Sequence, residues 1–295
     1  MKTINLLHNP GAGNEDHSSQ QLITLLVNNG FECHYFSMDE KGWDKFDEDA
    51  DFIVAAGGDG TIRKVTKKLL DKKPGKKLPI ALLPLGTANN IAQTLEIDGS
   101  TDEIIESWKT ARIKKFDVGR IYNVGSSNFF LESFGYGLFP YLIKKMKKIE
   151  DNSGTPEIEK ALEILHEIIF SYSPKFCKLK IDDVDLSGNF LLVEIMNTQL
   201  MGPNLFLSPH GDPGDGQFDI ILIPERDKEQ LASYVSDKLN GIDVPYTFQQ
   251  LKGKNIIVGW EGTHVHIDGD IVKLDKNHEV SIKLDEGLLE FLIPQ

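Results

Sequence analysis

The first hundred residues contain three apolar runs that each end in a loop of glycine and small polar residues. These junctions read "LLHNPGAGN" from residue 6, "VAAGGDGT" from residue 54 and "LLPLGTANN" from residue 82. Apolar residues at helical spacing follow the first two loops, and we predict a third helix over "TANNIAQTL", residues 87–95. Strands that alternate with helices in this way are typical of a parallel, doubly wound α/β sheet.

The three loops predict a site for a phosphate group. In a parallel sheet, the loops that follow the strands emerge side by side at the carboxyl edge. The helices that begin there present unpaired N–H groups and the positive end of their dipoles. None of the loops continues into Gly-Lys-Ser/Thr, and none fits GxGxxG, so any anion site works without a P-loop lysine. Taken alone, each loop is more typical of plain strand-to-helix packing.

The pattern changes after about residue 115. Short apolar segments bounded by turn residues follow, interrupted by helical stretches near 138–149, 156–171 and 227–240. Strand-rich sequence with few crossover helices is typical of an antiparallel sandwich or barrel. We therefore predict a nucleotide-binding α/β domain over 1–116 and a β-rich substrate-binding and metal-binding domain over 117–283, with a tail from about 284 to 295 that packs back on the first. A cleft between two such domains is a common place for a ligand.

Charge and composition exclude several classes of protein. The formal net charge of −13 argues against nucleic acid as the main partner. Two cysteines, Cys33 and Cys177, indicate neither a disulfide framework nor a zinc site. The chain has no apolar run of eighteen residues, so we expect a cytoplasmic protein whose membrane contact is peripheral.

Two clusters of basic residues stand out against this acidic average. Each is either a solvated helix face or a surface that meets anionic lipid. The first cluster comprises Arg63, Lys64, Lys67, Lys68, Lys72, Lys73, Lys76 and Lys77, and the second comprises Lys144, Lys145, Lys147 and Lys148.

Taken together and in order, the motifs resemble the diacylglycerol kinase catalytic-domain family of bacterial lipid kinases, which is related to the NAD kinases. The resemblance rests on "NPGAG" near residue 9, "GGDGT" near 57, "PLGTANNIA" near 84 and "DGD" at 268. It extends over nearly the whole chain, since "FDVGRI", "FGYG", "NTQLMGPNLFLSP" and "PGDGQFD" follow the family's order of segments in the second domain.

The resemblance implies that ATP lies across the interdomain cleft. The residues implied around the nucleotide are Asn9, Gly57, Gly58, Asp59, Gly60, Thr61, Gly86, Thr87 and Asn89. Asn90 departs from the family, many of whose members have aspartate at this position. The departure removes a carboxylate, and either the acceptor differs or a neighbour such as Asp59 takes over the catalytic role.

The resemblance also implies roles for two further aspartates. Asp215, in "PGDGQFD", matches the residue that helps to bind a structural Mg²⁺, although the residues alone are equally typical of a polar turn. Asp268 matches the general base, with Asp270 as a supporting acid. A single strand through "THVHIDGDIV" would place His264, His266, Asp268 and Asp270 on one face. A polar sheet face is favoured there over a metal site, because no third ligand is evident.

Three functions follow. The leading interpretation is an ATP-dependent lipid kinase that phosphorylates a hydroxyl of a diacylglycerol-like or related lipid. The alternatives are an NAD kinase-like phosphotransferase and a non-catalytic lipid-binding protein on the kinase scaffold. The sequence leaves open whether the chain forms a homodimer. Most aromatic residues around "FGYG" are expected in the core, and a minority could line an acyl groove. They are Phe129, Phe130, Phe134, Tyr136, Phe139 and Tyr141.

Overall fold

The computed structural model describes residues 1–13, 17–72, 75–125, 128–148, 156–242 and 248–295. The chain forms two compact units. Unit 1 comprises Met1–Phe116 together with Gly287–Gln295, and unit 2 comprises Asp117–Glu286. No helix in these described ranges has both the length and the apolar character needed to cross a bilayer.

Unit 1 is built on a parallel sheet. Its strands lie in the order β18, β4, β3, β1, β2, and every neighbouring pair is parallel, which confirms the predicted doubly wound architecture. The elements are β1 (Lys2–His8), α1 (Ser19–Asn28), β2 (Phe31–Ser37), β3 (Phe52–Gly57), α2 (Asp59–Lys72), β4 (Ile80–Pro84), α3 (Asn90–Thr94), α4 (Thr101–Ser107), the beginning of β5 (Arg112–Tyr122) and the end of β18 (Glu279–Ile293).

Buried strands and helix caps explain this half of the fold. All six residues of β3 are buried, as a central strand covered on both faces requires. Ser100 and Glu103 form a capping box at the start of α4. The rings of Phe31, Phe52 and Trp108 pack edge to face, with centroids 5.8–6.0 Å apart, and fill the space beside the sheet.

The third predicted helix is shorter than expected. We predicted helix from Thr87, but α3 begins at Asn90. Asn89 has φ +52°, a left-handed conformation that ends any helix on its N-terminal side. Residues 86–89 therefore form a loop at the carboxyl end of β4.

Unit 2 is an antiparallel sandwich, as predicted. Its sheet runs in the order β17, β16, β7, β10, β8, β15, β18, and β13 pairs with both β10 and β14. The remaining elements are β6 (Phe129–Phe130), β7 (Ser133–Gly137), α5 (Leu138–Met146), α6 (Glu157–Ser171), β8 (Lys175–Ile181), β9 (Val184–Asp185), β10 (Gly188–Met196), β11 (Leu200–Met201), β12 (Leu205–Phe206), β13 (Phe218–Pro224), α7 (Lys228–Leu239), β14 (Gln250–Gly253), β15 (Asn255–Trp260), β16 (His264–Ile267) and β17 (Asp270–Lys273).

Two apolar cores stabilise unit 2. One lies inside the sandwich and includes Phe134, Tyr136 and Trp260. The other lies between the sheet and the helices α5, α6 and α7, and it includes Phe139 and Leu165. The aromatic residues around "FGYG" are thus core, as expected for most of them, whereas the side chain of Tyr141 is exposed.

The segment "THVHIDGDIV" does not form one strand, and the shared face predicted for its four polar residues is wrong. Asp268 and Gly269 have φ of +46° and +80° and form a two-residue turn between β16 and β17. Asp-Gly is a favoured pair for such a hairpin, because both central residues need positive φ. Asp268 is therefore presented at the tip of a hairpin.

Candidate active site

The loops after β1 and β3 meet where the strand order of unit 1 reverses. β1 lies between β2 and β3, so the chain leaves the sheet in opposite directions after β1 and β3, and a crevice forms at their carboxyl ends. The backbone N–H of Asn9 donates to Ala56 O at 2.9 Å, and its side-chain Nδ2 donates to Thr61 Oγ1 at 3.1 Å. The predicted nucleotide residues Asn9 and Thr61 are thus brought together.

Glycines let the loops of unit 1 approach closely. A Cβ on Gly58 would lie 3.0 Å from Gly86 Cα, and a Cβ on Gly57 would lie 2.3 Å from Thr61 Oγ1. Gly13, with φ +61°, faces Leu85 O, where a Cβ would approach to 2.3 Å. These glycines are required by loop packing itself. Gly60 differs, because no atom lies within 4 Å of its Cβ position.

Asp59 links two helices of unit 1. It is the first residue of α2, and its carboxylate accepts the backbone N–H groups of Asn90 at 2.9 Å and Ile91 at 3.0 Å. A carboxylate at the N-terminus of a helix is stabilised by the helix dipole. The family resemblance implied that Asp59 lies beside the nucleotide and has a catalytic role. In the structure its carboxylate holds the start of α3, and its catalytic role stays a prediction.

Asn89 shapes the loop that precedes α3. Its side chain accepts the N–H of Gly86 at 3.0 Å and donates to Gly86 O at 2.7 Å. The buried Asn90 follows it, and Thr87 between Gly86 and Asn89 is exposed. Thr87 and Gly60 are therefore the predicted nucleotide residues that lie open to solvent at the carboxyl edge of this sheet.

Two histidines, His8 and His17, lie in contact behind the first loop, and the sequence pattern did not predict this contact. His8 Nε2 lies 3.0 Å from His17 Nδ1, His8 Nδ1 lies 3.2 Å from the Tyr35 hydroxyl, and His17 Nε2 lies 3.2 Å from Ala12 O. Burial, and next the charge of His17, lowers the pKa of His8 to about 4. A neutral His8 thus connects β1 to the loop that carries Asn9. The sequence offered one hint, a histidine at the end of a buried strand.

In unit 2, the turn residue Asp268 is held by backbone donors. Its carboxylate accepts the N–H groups of Leu131, Glu132 and Ser133 at 2.8–3.2 Å. Its own N–H donates to Ser133 O at 3.0 Å. These bonds fix the position of the carboxylate to the segment that leads into β7, which is the kind of orientation that a catalytic base requires. Its role as general base stays a prediction. Asp270 begins β17 and is exposed.

The carboxylate proposed for Mg²⁺ is engaged by protein groups. Asp215 Oδ2 lies 2.6 Å from Lys252 Nζ, and Asp215 Oδ1 accepts the N–H of Gln217 at 2.9 Å. Lys252 Nζ also lies 3.8 Å from Asp219, a buried residue whose pKa is raised by burial. Within the described ranges, no three His, Cys, Asp or Glu side chains cluster closely enough to hold a metal ion. Lys252 thus supplies positive charge at this loop, and the role of Asp215 in binding Mg²⁺ stays a prediction.

A buried contact between a glutamate and a histidine crosses the sheet of unit 2. Glu194 and His266 are almost fully buried, and His266 Nε2 lies 2.9 Å from Glu194 Oε1. Gly135, which is paired with both residues in the sheet, leaves the room for this contact, since a Cβ there would lie within 2.2 Å of the Glu194 carboxylate. Burial raises the pKa of Glu194. His266 is thus a buried core residue, and its position between strands is explained by its contact with Glu194.

Two family models match this chain. Residues 3–121 match the diacylglycerol kinase catalytic domain, and residues 155–285 match the YegS C-terminal NAD kinase beta sandwich-like domain. The matches fall on the α/β part of the chain and on the sandwich, respectively.

Individual relatives agree with the family models. A Staphylococcus aureus (strain MSSA476) protein named "Putative lipid kinase" is 26% identical over 235 residues, which cover 76% of this chain and 72% of the relative. Two solved structures from Bacillus anthracis str. Sterne, described as a "putative diacylglycerol kinase" and as a diacylglycerol kinase, superpose with TM-scores of 0.75 and 0.71 at 21% and 20% identity. Each comparison covers 99% of this chain and 97% of the other. At these identities, the structural likeness shows the fold.

Proposed function

Because this chain belongs to the diacylglycerol kinase catalytic-domain family, we propose that it transfers the γ-phosphate of ATP to a hydroxyl of a diacylglycerol-like or related lipid. The observation that carries the proposal is the contact of three glycine-rich loops at the carboxyl edge of the unit 1 sheet, where Asn9 contacts Thr61 and Gly58 contacts Gly86. Family membership supports the use of ATP, and the acceptor lipid is the finer part of the proposal.

The loops supply what phosphoryl transfer needs. The transition state is loose, and its negative charge spreads over the phosphate oxygens, so catalysis is mainly positioning and electrostatic stabilisation. The first turn of α2, which includes Gly60, offers backbone N–H groups at an exposed point. Thr87 adds an exposed hydroxyl. Mg²⁺ would enter with ATP and neutralise phosphate charge, and we assign it no ligand in this chain.

The acceptor hydroxyl must lose a proton while its oxygen bonds to phosphorus. An alcohol has a pKa far above 7, so a carboxylate within hydrogen-bond reach must accept that proton. We assign this role to Asp268. As the new P–O bond forms, the bond from the γ-phosphorus to the bridging oxygen breaks, and ADP leaves with the electron pair.

Purified protein incubated with [γ-³²P]ATP and a total lipid extract tests the proposal. We expect label in a chromatographically separated phospholipid, and purified diacylglycerol should reproduce the product. Parallel reactions with NAD as acceptor distinguish the NAD kinase-like alternative. Nucleotide binding without label in either acceptor would overturn the kinase assignment and favour a non-catalytic lipid-binding protein.

A further inference from the structure

Unit 2 contains a cavity of about 720 Å³ that the proposed chemistry does not use. Gly137, Pro140 and the Trp260 ring form its buried part. Trp260 is fixed from below, because its ring stacks on Tyr136 with centroids 5.4 Å apart and an interplanar angle of 21°. A rigid apolar floor of this kind is typical of a preformed ligand pocket.

The upper part of the cavity is basic. Lys144, Lys175 and Lys276 line it, and among its described lining residues Glu261 is the one carboxylate. Glu261 is itself engaged, since it accepts the N–H of Phe176 at 3.2 Å. In the described part of the chain, none of the three lysines forms an ion pair. Three lysines against one carboxylate give the lining a net positive charge, in a protein whose net charge is −13.

Neutral hydrogen-bonding groups complement these lysines. The lining includes the hydroxyls of Ser171, Ser173 and Thr263. Thr263 Oγ1 lies 3.0 Å from His264 Nδ1. Burial, and next the charge of Lys144, lowers the pKa of His264, which favours a neutral ring. Ammonium groups beside hydroxyls are a suitable set of donors for a phosphate group.

Two tyrosine side chains lie at the mouth of the cavity. Tyr141, which lines it, is 43% exposed, and its ring centroid lies 6.0 Å from that of Tyr172, which also lines it. Lys145 Nζ lies 5.8 Å from the centroid of the Tyr141 ring, and Lys147 and Lys148 continue the basic surface beyond α5. Exposed aromatic residues among lysines are characteristic of surfaces that contact the headgroup region of a membrane.

The first basic cluster does not have this character. Lys68 pairs with Asp44 at 3.0 Å, Lys72 with Glu48 at 3.3 Å, and Lys77 with Glu290 at 3.5 Å. These lysines are already neutralised within unit 1. Lys73 lies outside the described residues. The two basic clusters thus differ in how much of their charge is available to a partner.

The cavity is also separate from the proposed base. It lies at the His264 end of β16, whereas Asp268 follows the other end of that strand. Four residues of extended chain at about 3.3 Å each place the two roughly 13 Å apart. A group bound in this pocket is therefore not the reacting hydroxyl.

We propose that this pocket binds the phosphate headgroup of an anionic phospholipid at a membrane surface, with Tyr141 in contact with the lipid interface. The pocket would hold the protein on the membrane from which its acceptor is taken, so the inference deepens the proposed function and rests on it for its biological meaning. The binding event itself does not require phosphoryl transfer.

Vesicle sedimentation tests the proposal. The probes are vesicles of phosphatidylcholine alone and vesicles that contain 30% phosphatidylglycerol, and the variant is Lys144→Gln/Lys276→Gln. The matched control, Lys64→Gln/Lys67→Gln, removes the same charge from exposed positions on α2. Each lysine near an anionic surface contributes about fivefold, so we expect binding of the pocket variant to weaken on the order of 25-fold and that of the control to change much less.

Two outcomes would overturn the proposal. One is equal weakening in the pocket variant and the control, which would mean that only net charge matters. The other is binding of glycerol phosphate in solution as tight as binding to vesicles, which would make a free phosphate compound the ligand.

Kinase activity on lipid dispersed in detergent, where no membrane surface exists, should be the same in the pocket variant and wild type. Loss of label in wild type would instead refute the kinase assignment, whatever the vesicles show.

Discussion

A Cβ atom added to Gly86 would lie 2.4 Å from the Cα of Gly58, so the loops that follow β3 and β4 touch backbone to backbone. Gly60, two residues after Gly58, has no such neighbour. This difference separates the glycines that build the loops from the one that is free to meet a ligand, and it provides a test of the nucleotide site.

We expect Gly60→Ala to keep or slightly raise stability, because alanine is favoured over glycine in a helix, and to weaken ATP binding by crowding a phosphate. Gly86→Ala should destabilise the fold by about 1–3 kcal/mol, since backbone must move to admit its Cβ. Thermal unfolding and calorimetric ATP titration measure the two effects. Wild-type ATP affinity in Gly60→Ala would remove that residue from the phosphate site.

Asp268→Asn should lower kcat by about 10²–10⁴-fold with little change in the KM for ATP, because the amide cannot accept the proton of the hydroxyl. Asparagine retains one oxygen for the N–H groups of Leu131, Glu132 and Ser133, so the fall in stability should be about 1 kcal/mol. Asp270→Asn is the control, and its kcat should fall far less. A folded Asp268→Asn protein with wild-type turnover would leave Asp268 a purely structural residue.

Lys252→Met should lower the melting temperature by a few degrees, because it leaves Asp215 and the buried Asp219 without their cation. Since Lys252 supplies this charge, EDTA should not change the melting temperature of the wild-type protein. Lys254→Met, at a more exposed ion pair, is the control. A lower melting temperature of wild type in EDTA, restored by Mg²⁺, would instead support the predicted metal at Asp215.

His8 should make the protein less stable in mild acid. The unfolded chain binds a proton at this residue as the pH falls through about 6.5, whereas the folded protein binds it only near pH 4. Stability is therefore full above about pH 6.5, is lost as the pH falls from there, and levels off below 4. Between pH 7.5 and 5 the loss should be about 1–2 kcal/mol. His8→Gln should reduce this loss in thermal unfolding, and His34→Gln should retain it.

Features that depend on neighbours in the chain could be predicted from the sequence. The strand and loop pattern before residue 100 predicted the parallel sheet, because it depends on residues a few positions apart. The capping box of Ser100 and Glu103 is likewise a local signal, since the two residues are three positions apart. The turn at Asp268 was missed although Asp-Gly is a hairpin signal. The apolar and polar alternation on both sides of it was taken for one continuous strand.

Contacts between distant segments could not be predicted in the same way. Lys252 contacts Asp215, which is 37 residues away in the sequence, and His266 contacts Glu194, which is 72 residues away. Both contacts depend on strand register, which β-strand patterns specify only when the partners are known. The sequence likewise showed that Asn90 stands where many family members have aspartate. It could not show that the backbone N–H of Asn90 donates to Asp59.

The last strand of unit 1 has a consequence for biosynthesis. Phe291 pairs with Ile80 and its ring packs on Phe116, so β4 gains its second neighbour from a segment made about 210 residues later. At about 5–20 residues per second, a ribosome needs roughly 10–40 s to reach it. Throughout that time the hydrogen-bonding edge of β4 is open to other chains, an edge of the type that promotes aggregation. Nascent unit 1 should therefore depend on chaperones until the segment around Phe291 has been made, and deleting that segment should prolong the dependence.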